Sequence, residues 1–350
     1  RFRLVHIFFG PKIIETSTFR QNPRPENGDA DADEEALLIR RDNVWGTAQD
    51  DALRRDFTLN GLFYDPVRRE VIDFVEGLGD LANRSIRTIG DPEIRFQEDP
   101  VRILRAIKFA ARLDLEIETE TYAALKLHRD KIPLCARARV LEEVYRLFRE
   151  GSAHRAMQLL EETGVLEVLL PELVDVLADP ALREILYARL AALDALAGEA
   201  ELTNPVLLAA VYFDTLLPAA SIYENRRADE DEESHTFREA VERWTPSRRD
   251  RDRTRQILMA QRRLRPTGGK KRRRRRPMAL VSQGYFPEAL TLYKLLCHTG
   301  EADPSTIEKW ESLHATAKGA EGDEKGRRKP RRRRRRRRPG RRSKEGGVPS

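Results

Sequence analysis

From residue 99 to residue 217 the apolar residues recur at the i, i+3, i+4 spacing of helices that bury one side, and nothing else in the chain limits its fold as strongly. Six stretches carry this period: 99–113, 118–129, 139–150, 153–163, 181–198 and 204–217, with Gly or Pro between them. Two further helices are expected within 277–297 and 305–317. No fixed-length self-similarity joins the stretches, so a solenoid is not indicated. The first 74 residues read differently. Residues 2–9 (FRLVHIFF) and 12–19 (KIIETSTF) are strand-like runs separated by Gly10-Pro11, the pattern of a β-hairpin. A further strand over Ala36–Arg40 and the segment up to Phe74 complete an α/β region. The expected fold class is therefore α+β, a small sheet followed by a long helical array.

Between the hairpin and that strand lies QNPRPENGDADADEE, whose Pro, Gly and acidic content predicts a loop. Its Asp29, Asp31 and Asp33 have the alternation of a calcium loop, but Glu34 stands where the turn needs glycine and Arg40 where it needs glutamate. The loop reads as a solvated acidic one.

The net charge of +7 hides a division. Residues 262–276 hold ten basic and no acidic residues, and residues 321–350 hold fifteen basic and four acidic, which leaves the rest of the chain at about −14. Eight consecutive arginines, Arg331 to Arg338, repel one another, so this tail is expected to be disordered until a polyanion neutralises it. An RNA or DNA backbone fits that demand, through arginines such as Arg272, Arg273 and Arg274 in the first segment and Arg331, Arg332 and Arg333 in the second. A tail that only aids solubility is the plainer alternative. The two cysteines, Cys135 and Cys297, have no CxxC or His-rich neighbourhood and read as buried free thiols. No apolar run reaches the roughly 18 to 20 residues that span a bilayer, and the chain opens without a signal-peptide core. A cytoplasmic protein with no membrane partner is expected.

Two short motifs carry chemistry. Residues 98–113 read EDPVRILRAIKFAARL, in which Asp99 suits an N-cap and Pro100 the first helical position. Arg102, Arg105, Lys108 and Arg112 then share one face, and Val101, Leu104, Ile107 and Ala111 another. A solvated cationic face is the commoner meaning of such a stripe. The sharper meaning is base recognition, because Asp99 and Arg102 set an acceptor beside a donor. The Watson–Crick edges of adenine and cytosine offer the matching donor and acceptor; those of guanine and uracil do not. The rest of the stripe could then meet a triphosphate, for which arginine's fork is well shaped. The second motif, Arg54-Arg55-Asp56-Phe57-Thr58-Leu59-Asn60, could bind phosphates and a ribose hydroxyl or form a surface ion-pair cluster.

Together these segments resemble the class II nucleotidyltransferases, the superfamily of bacterial poly(A) polymerases and tRNA CCA-adding enzymes. RRDFTLNG is similar to that family's ribose-discriminating RRDFTINA, with Gly61 in place of Ala; EDPVRILRAIKF resembles its EDxxR base-reading helix, and ARVLEEVYRLF (138–148) the helix closing its neck. The likeness covers roughly residues 1–175. It implies a partial nucleotidyltransferase (polymerase β-like) head over 1–74, a neck over 75–135 and a helical, RNA-binding body over 136–261. Beyond these it implies a basic linker over 262–276, a helical tail over 277–320 and a disordered Arg-rich end over 321–350.

By the same resemblance Asp56 is an active-site carboxylate, and Arg55, Asp99, Arg102, Arg105 and Lys108 contact the nucleotide, Lys108 as a point charge where an arginine is usual. The hairpin and the arginine tail resemble the poly(A) polymerase branch. The implied activity is addition of AMP from ATP to RNA 3′ ends, with ATP, RNA and RNA-decay or adaptor proteins as partners. A CCA-adding enzyme and a noncatalytic ATP- or RNA-binding remnant are the alternatives. Members of the superfamily begin with a glycine-rich turn, a VRD segment and a DxD pair that hold two Mg²⁺ ions. This chain starts at the strand that follows them, so no metal ligand is expected within it, and the resemblance implies a longer protein.

Overall fold

The computed structural model describes residues 4–21, 44–198, 201–213, 242–265 and 277–327. The hairpin forms as its sequence predicts: β1 (Leu4–Phe9) pairs antiparallel with β2 (Lys12–Ser17), Ile7 opposite Ile14. Both strands are exposed along their whole length, with Phe8 and Phe9 among the most accessible apolar residues. Two-residue strands β3 (Arg20–Gln21) and β4 (Val44–Trp45) pair antiparallel and lead into α1 (Ala48–Leu53). The strand expected at Ala36–Arg40, the acidic loop around Asp29 to Asp33, and Arg272, Arg273, Arg274, Arg331, Arg332 and Arg333 lie outside the described residues.

A second hairpin, β5 (Leu62–Asp65) and β6 (Glu70–Asp73), precedes α2 (Gly77–Ala82). Strand β7 (Ser85–Ile86) then pairs in parallel with β8 (Glu116–Ile117), and the crossover between them holds α3 (Pro92–Glu98) and α4 (Val101–Leu113). Helices follow almost without interruption: α5 (Thr119–His128), α6 (Arg137–Arg149), α7 (Ala153–Glu162), α8 (Val165–Leu169), α9 (Val174–Ala178), α10 (Pro180–Leu196) and α11 (Asn204–Val211). After residue 242 come α12 (Arg248–Leu264), α13 (Pro277–Val281), α14 (Phe286–His298) and α15 (Ile307–Arg327). Among the described residues no helix is long and apolar enough to cross a membrane.

Helix α4 joins the strand-containing region to the helical one. Its Ile103, Leu104, Ala106 and Ile107 are fully buried, and it packs on α6 and α7. At the far end α12 lies against α11 and α14, burying Ile257, Leu258, Ala260 and Leu264. The buried face of α4 follows the period read from sequence, whereas α12 was not expected as a helix.

Four details differ from expectation. Asp99 does not open the helix alone: it ends α3, and its Oδ1 accepts the N–H of Val101, the first residue of α4, at 3.3 Å. The cationic face of α4 is only partly solvated, since Arg102 and Lys108 are buried in ion pairs with α3 and α6 while Arg105 is half-buried and Arg112 exposed. Residues 262–264 belong to the last turn of α12 and not to a linker, and α15 continues to Arg327, past the boundary expected for a disordered end. Cys135 and Cys297 are free as expected but half-buried.

Candidate nucleotide-binding site

The RRD segment is shaped by two local devices. Thr47 and Asp50 form a reciprocal capping box that starts α1, and the helix stops at Arg54. Within it the buried carboxylate of Asp51 accepts Nε and Nη2 of Arg55 at 3.1 and 2.8 Å and the backbone N–H of Arg20 at 3.1 Å. Arg95 of α3 braces the turn from below. Its Nη2 donates to the carbonyls of Arg54 and Arg55 at 3.0 and 2.5 Å, while its Nη1 bonds Glu98 at 2.8 Å. Burial lowers the Arg95 pKa, an effect the neighbouring Arg102 charge reinforces and Glu98 opposes.

Asp56 follows, 9% exposed. One of its oxygens accepts Nε of Arg105; the other accepts Nδ2 of Asn60 at 2.8 Å and the N–H of Phe57 at 3.0 Å. Burial alone would raise its pKa, but the Arg105 charge and these hydrogen bonds outweigh it and hold the carboxyl below its ordinary value. The turn after it, Thr58–Gly61, is fixed by Thr58 Oγ1 donating to Asp80 at 2.6 Å and by Gly77 pressed against it. A Cβ at Gly77 would stand 2.4 Å from the Thr58 carbonyl oxygen, so no larger residue fits there.

Helices α3, α4 and α6 supply the opposite wall. Glu98 accepts both Arg95 and Arg102 at 2.8 Å, and Arg102 Nη1 also donates to the Arg95 carbonyl at 2.8 Å. Asp99 Oδ2 accepts Nη2 of Arg139 at 2.7 Å. Deeper in, Lys108 Nζ meets Glu143 Oε2 at 2.7 Å, with Arg146 at 3.4 Å from the other oxygen. Together these elements enclose an open cleft of about 780 Å³, the size of a small-molecule site.

Of the residues expected to meet a nucleotide, Arg55, Asp56, Asp99, Arg102 and Arg105 all line this cleft, although they come from three separate elements. Lys108 does not line it: it is 4% exposed and committed to Glu143. Arg54 and Asn60 of the same motif also line the cleft, and so do Arg139 and Glu143, which were not singled out by sequence. The signal for the last pair was present in ARVLEEV, where Arg139 and Glu143 stand four apart on one helical face, but their partners are 35 and 40 residues away.

Three family models match the chain in succession. "Poly A polymerase head domain" matches residues 1–87, "Probable RNA and SrmB- binding site of polymerase A" residues 114–177 and "Polymerase A arginine-rich C-terminus" residues 227–343. Poly(A) polymerase I of Haemophilus influenzae is 38% identical over 219 residues, 61% of this chain and 48% of the relative. The corresponding protein of Salmonella typhimurium is 39% identical over 173 residues, 49% of this chain and 37% of the relative. The chain thus spans less than half the length of these relatives. A CCA-adding enzyme of Lactobacillus helveticus is 32% identical over 165 residues, 47% of this chain and 39% of that one. Among solved structures, the Bacillus stearothermophilus CCA-adding enzyme in complex with CTP superposes with a TM-score of 0.59 at 22% identity, covering 89% of this chain and 66% of that one. The order of the matched models along the chain, and the shared fold beneath them, agree with the RRD turn and EDxxR helix that meet in the cleft: three successive segments of the chain match models of bacterial poly(A) polymerase, and its fold is that of a CCA-adding enzyme.

Proposed function

We propose that this chain is the base-selecting and RNA-holding portion of a cytoplasmic polynucleotide adenylyltransferase, which joins the 3′-hydroxyl of an RNA to the α-phosphorus of ATP and releases pyrophosphate. The observation that carries this reading is the meeting of Asp99 and Arg102 on one wall with Arg54, Arg55 and Arg105 around the same cleft. Adenine's amino group would donate to the Asp99 carboxylate, and a donor of Arg102 would reach the adjacent ring nitrogen. Each Asp99 oxygen makes one bond here, to Val101 N–H or to Arg139, and keeps a second lone pair for the base. The ion pairs to Glu98 and Arg139 hold both readers in place before a nucleotide arrives, which lowers the ordering cost of binding. Arg54, Arg55 and Arg105 would then meet the triphosphate, their forks suited to its oxygens.

Asp56 keeps Arg105 and Asn60 aimed into the cleft, and this is the role in the site that its bonds support. The Mg²⁺ ions that the family implies find no fitting ligand set here. Among the described residues no three His, Cys, Asp or Glu side chains converge, and Asp56 has both oxygens engaged. No metal-dependent step is therefore assigned to a residue of this chain.

Equilibrium binding of ATP, CTP, GTP and UTP tests the reading. ATP should bind more tightly than GTP and UTP, and Asp99→Ala should erase that preference while single-stranded RNA still binds. An equal loss for all four nucleotides would remove Asp99 from base selection. The base-edge logic admits cytosine as well as adenine, so CTP binding as tightly as ATP would favour the CCA-adding alternative.

A further inference from the structure

Among the described residues outside the nucleotide cleft, α12 carries a dense set of arginines. Seven of its seventeen residues are arginine, and three of them, Arg248, Arg249 and Arg251, share the first turn with a single acid, Asp250, while Asp252 pairs with Arg248 at 3.8 Å. Backbone N–H groups give a helix N-terminus a partial positive charge, so cations there work against the helix and acids would favour it. The inner face needs none of these arginines. Thr254, Ile257, Leu258, Gln261 and Leu264 are buried, Gln261 Nε2 donates to the Ala289 carbonyl at 3.0 Å, and the Trp310 indole closes the far end on the Leu264 carbonyl at 2.9 Å. A local preference broken where packing does not demand it marks a surface kept for something else.

The position of that surface indicates its use. A second cleft, of about 620 Å³, opens beside the start of α12 and is lined by Arg149, Asn204, Arg249, Asp250, Arg253 and Glu288 among others. Its floor is braced from within: Arg149 bonds Asn204 and the Leu202 carbonyl, and Arg253 pairs with Glu288 at 3.2 Å. A shallower groove lined by Arg248, Arg249, Asp252, Arg253 and Gln256 continues from it along the helix. Helix α6 links the two clefts. Arg139 borders the nucleotide cleft and Arg149 the second one, ten residues apart on the same helix, or about 15 Å at the α-helical rise. Near the first cleft, Arg137 also holds the Glu242 carbonyl at 3.1 Å, six residues before α12 begins.

We infer that the second cleft and the outward face of α12 form a binding track for single-stranded RNA, occupied by nucleotides upstream of the 3′ end whose addition site is the first cleft. Arg248, Arg251 and Arg255 follow one another at i, i+3 and i+7, with Met259 exposed further along the same face. Arginines at that spacing suit successive phosphates, and guanidinium planes and an exposed thioether offer surfaces for unpaired bases. The partner is RNA and not an acidic protein because the second cleft and the groove share Arg249 and Arg253, so their arginines follow one another along a channel as phosphates follow one another along a single strand. The inference rests on the RNA-directed activity proposed above.

The test uses the full 350-residue chain, a fluorescein-labelled oligo(A) and the triple variant Arg248→Ala/Arg249→Ala/Arg251→Ala. All three side chains are exposed, and their removal relieves the helix terminus, so melting temperature should hold or rise. Oligo(A) affinity should fall on the order of tenfold at about 0.15 M salt, and the slope of log K against log salt should shrink by about 2, since each of three phosphates left without its arginine accounts for about 0.7. The corresponding triple lysine variant should keep most of the slope. Ultraviolet crosslinks from oligo(A) should map to peptides within 248–264. Crosslinks confined to the basic segments at 266–276 and 328–350, or an unchanged slope, would overturn the track. Loss of poly-glutamate binding without loss of oligo(A) binding would overturn it in favour of an acidic polypeptide partner. Failure of the unsubstituted chain to bind oligo(A) at all would instead bring down the RNA-directed reading itself.

Discussion

At the scale of single residues, the chain's departure from the family motif has a local cause. Gly61 replaces the usual alanine, and a Cβ there would approach Val75 Cγ2 to 2.6 Å and Ile89 Cδ1 to 3.3 Å. Gly61→Ala should cost about 1–3 kcal/mol through overpacking, and Val75→Ala in the same chain should recover part of it, which urea denaturation of the double-mutant cycle would read. Additive effects would show that the two positions do not press on each other. Asp56 offers a pH test. Its carboxyl is held below the ordinary 3.8, so its contribution to stability is complete above about pH 4 and is lost as pH falls through the folded value. Asp56→Asn should therefore flatten the acid limb of stability against pH, and an unchanged limb would remove the Arg105 pair from that role. Lys108 shows what sequence could not supply. Spacing placed it on the arginine stripe, but its partner Glu143 stands on a helix 35 residues later, and the buried pair turned it away from the cleft. Glu143→Leu alone should strand the Lys108 charge and cost about 3–5 kcal/mol, whereas Lys108→Met together with Glu143→Leu should regain most of that.

At the scale of elements, legibility followed periodicity. Helices α4, α5, α6, α7 and α10 fall within a few residues of the stretches their apolar spacing predicts, because one buried face writes a 3.6-residue period into the sequence. Two helices left weaker signals. In α3 the seven residues are too few to show a period, and it is buried largely through Arg95 and Phe96. In α12 the arginines mask a regular apolar face at Ile257, Leu258 and Leu264. The cleft was legible as two motifs but not as one site, since joining them depends on Arg95, which reaches about 40 residues back to the RRD turn. Arg95→Met keeps most of the volume and deletes both carbonyl bonds. It should weaken binding of all four nucleoside triphosphates together, by roughly tenfold for about 1–1.5 kcal/mol of lost hydrogen bonding, and leave the ATP-over-GTP ratio intact. A change in that ratio instead would mean that Arg95 supports the base wall and not the arginines of the RRD turn.

At the scale of the whole molecule, the positive charge is gathered in two segments of the sequence. Apart from residues 262–276 and 321–350 the chain carries about −14. The last helix runs to Arg327, which places the natural cut for testing the tail after that residue and not at 321. Residues 328–350 contain thirteen Lys or Arg and one Glu. Removing them should leave the ATP-over-GTP ratio and the melting temperature unchanged, because the cleft and the core residues named above all lie before Arg327. RNA binding should weaken, and the slope of log K against log salt should flatten by several units, about 0.7 for each phosphate that the tail no longer neutralises. The association rate should fall as well, since the remaining net charge no longer draws a polyanion in, and stopped-flow mixing at two salt concentrations separates that loss of steering from faster release. An unchanged salt slope would mean that the tail neutralises no phosphates, and the charge that holds RNA would then have to lie upstream, on α12 and the segment at 266–276.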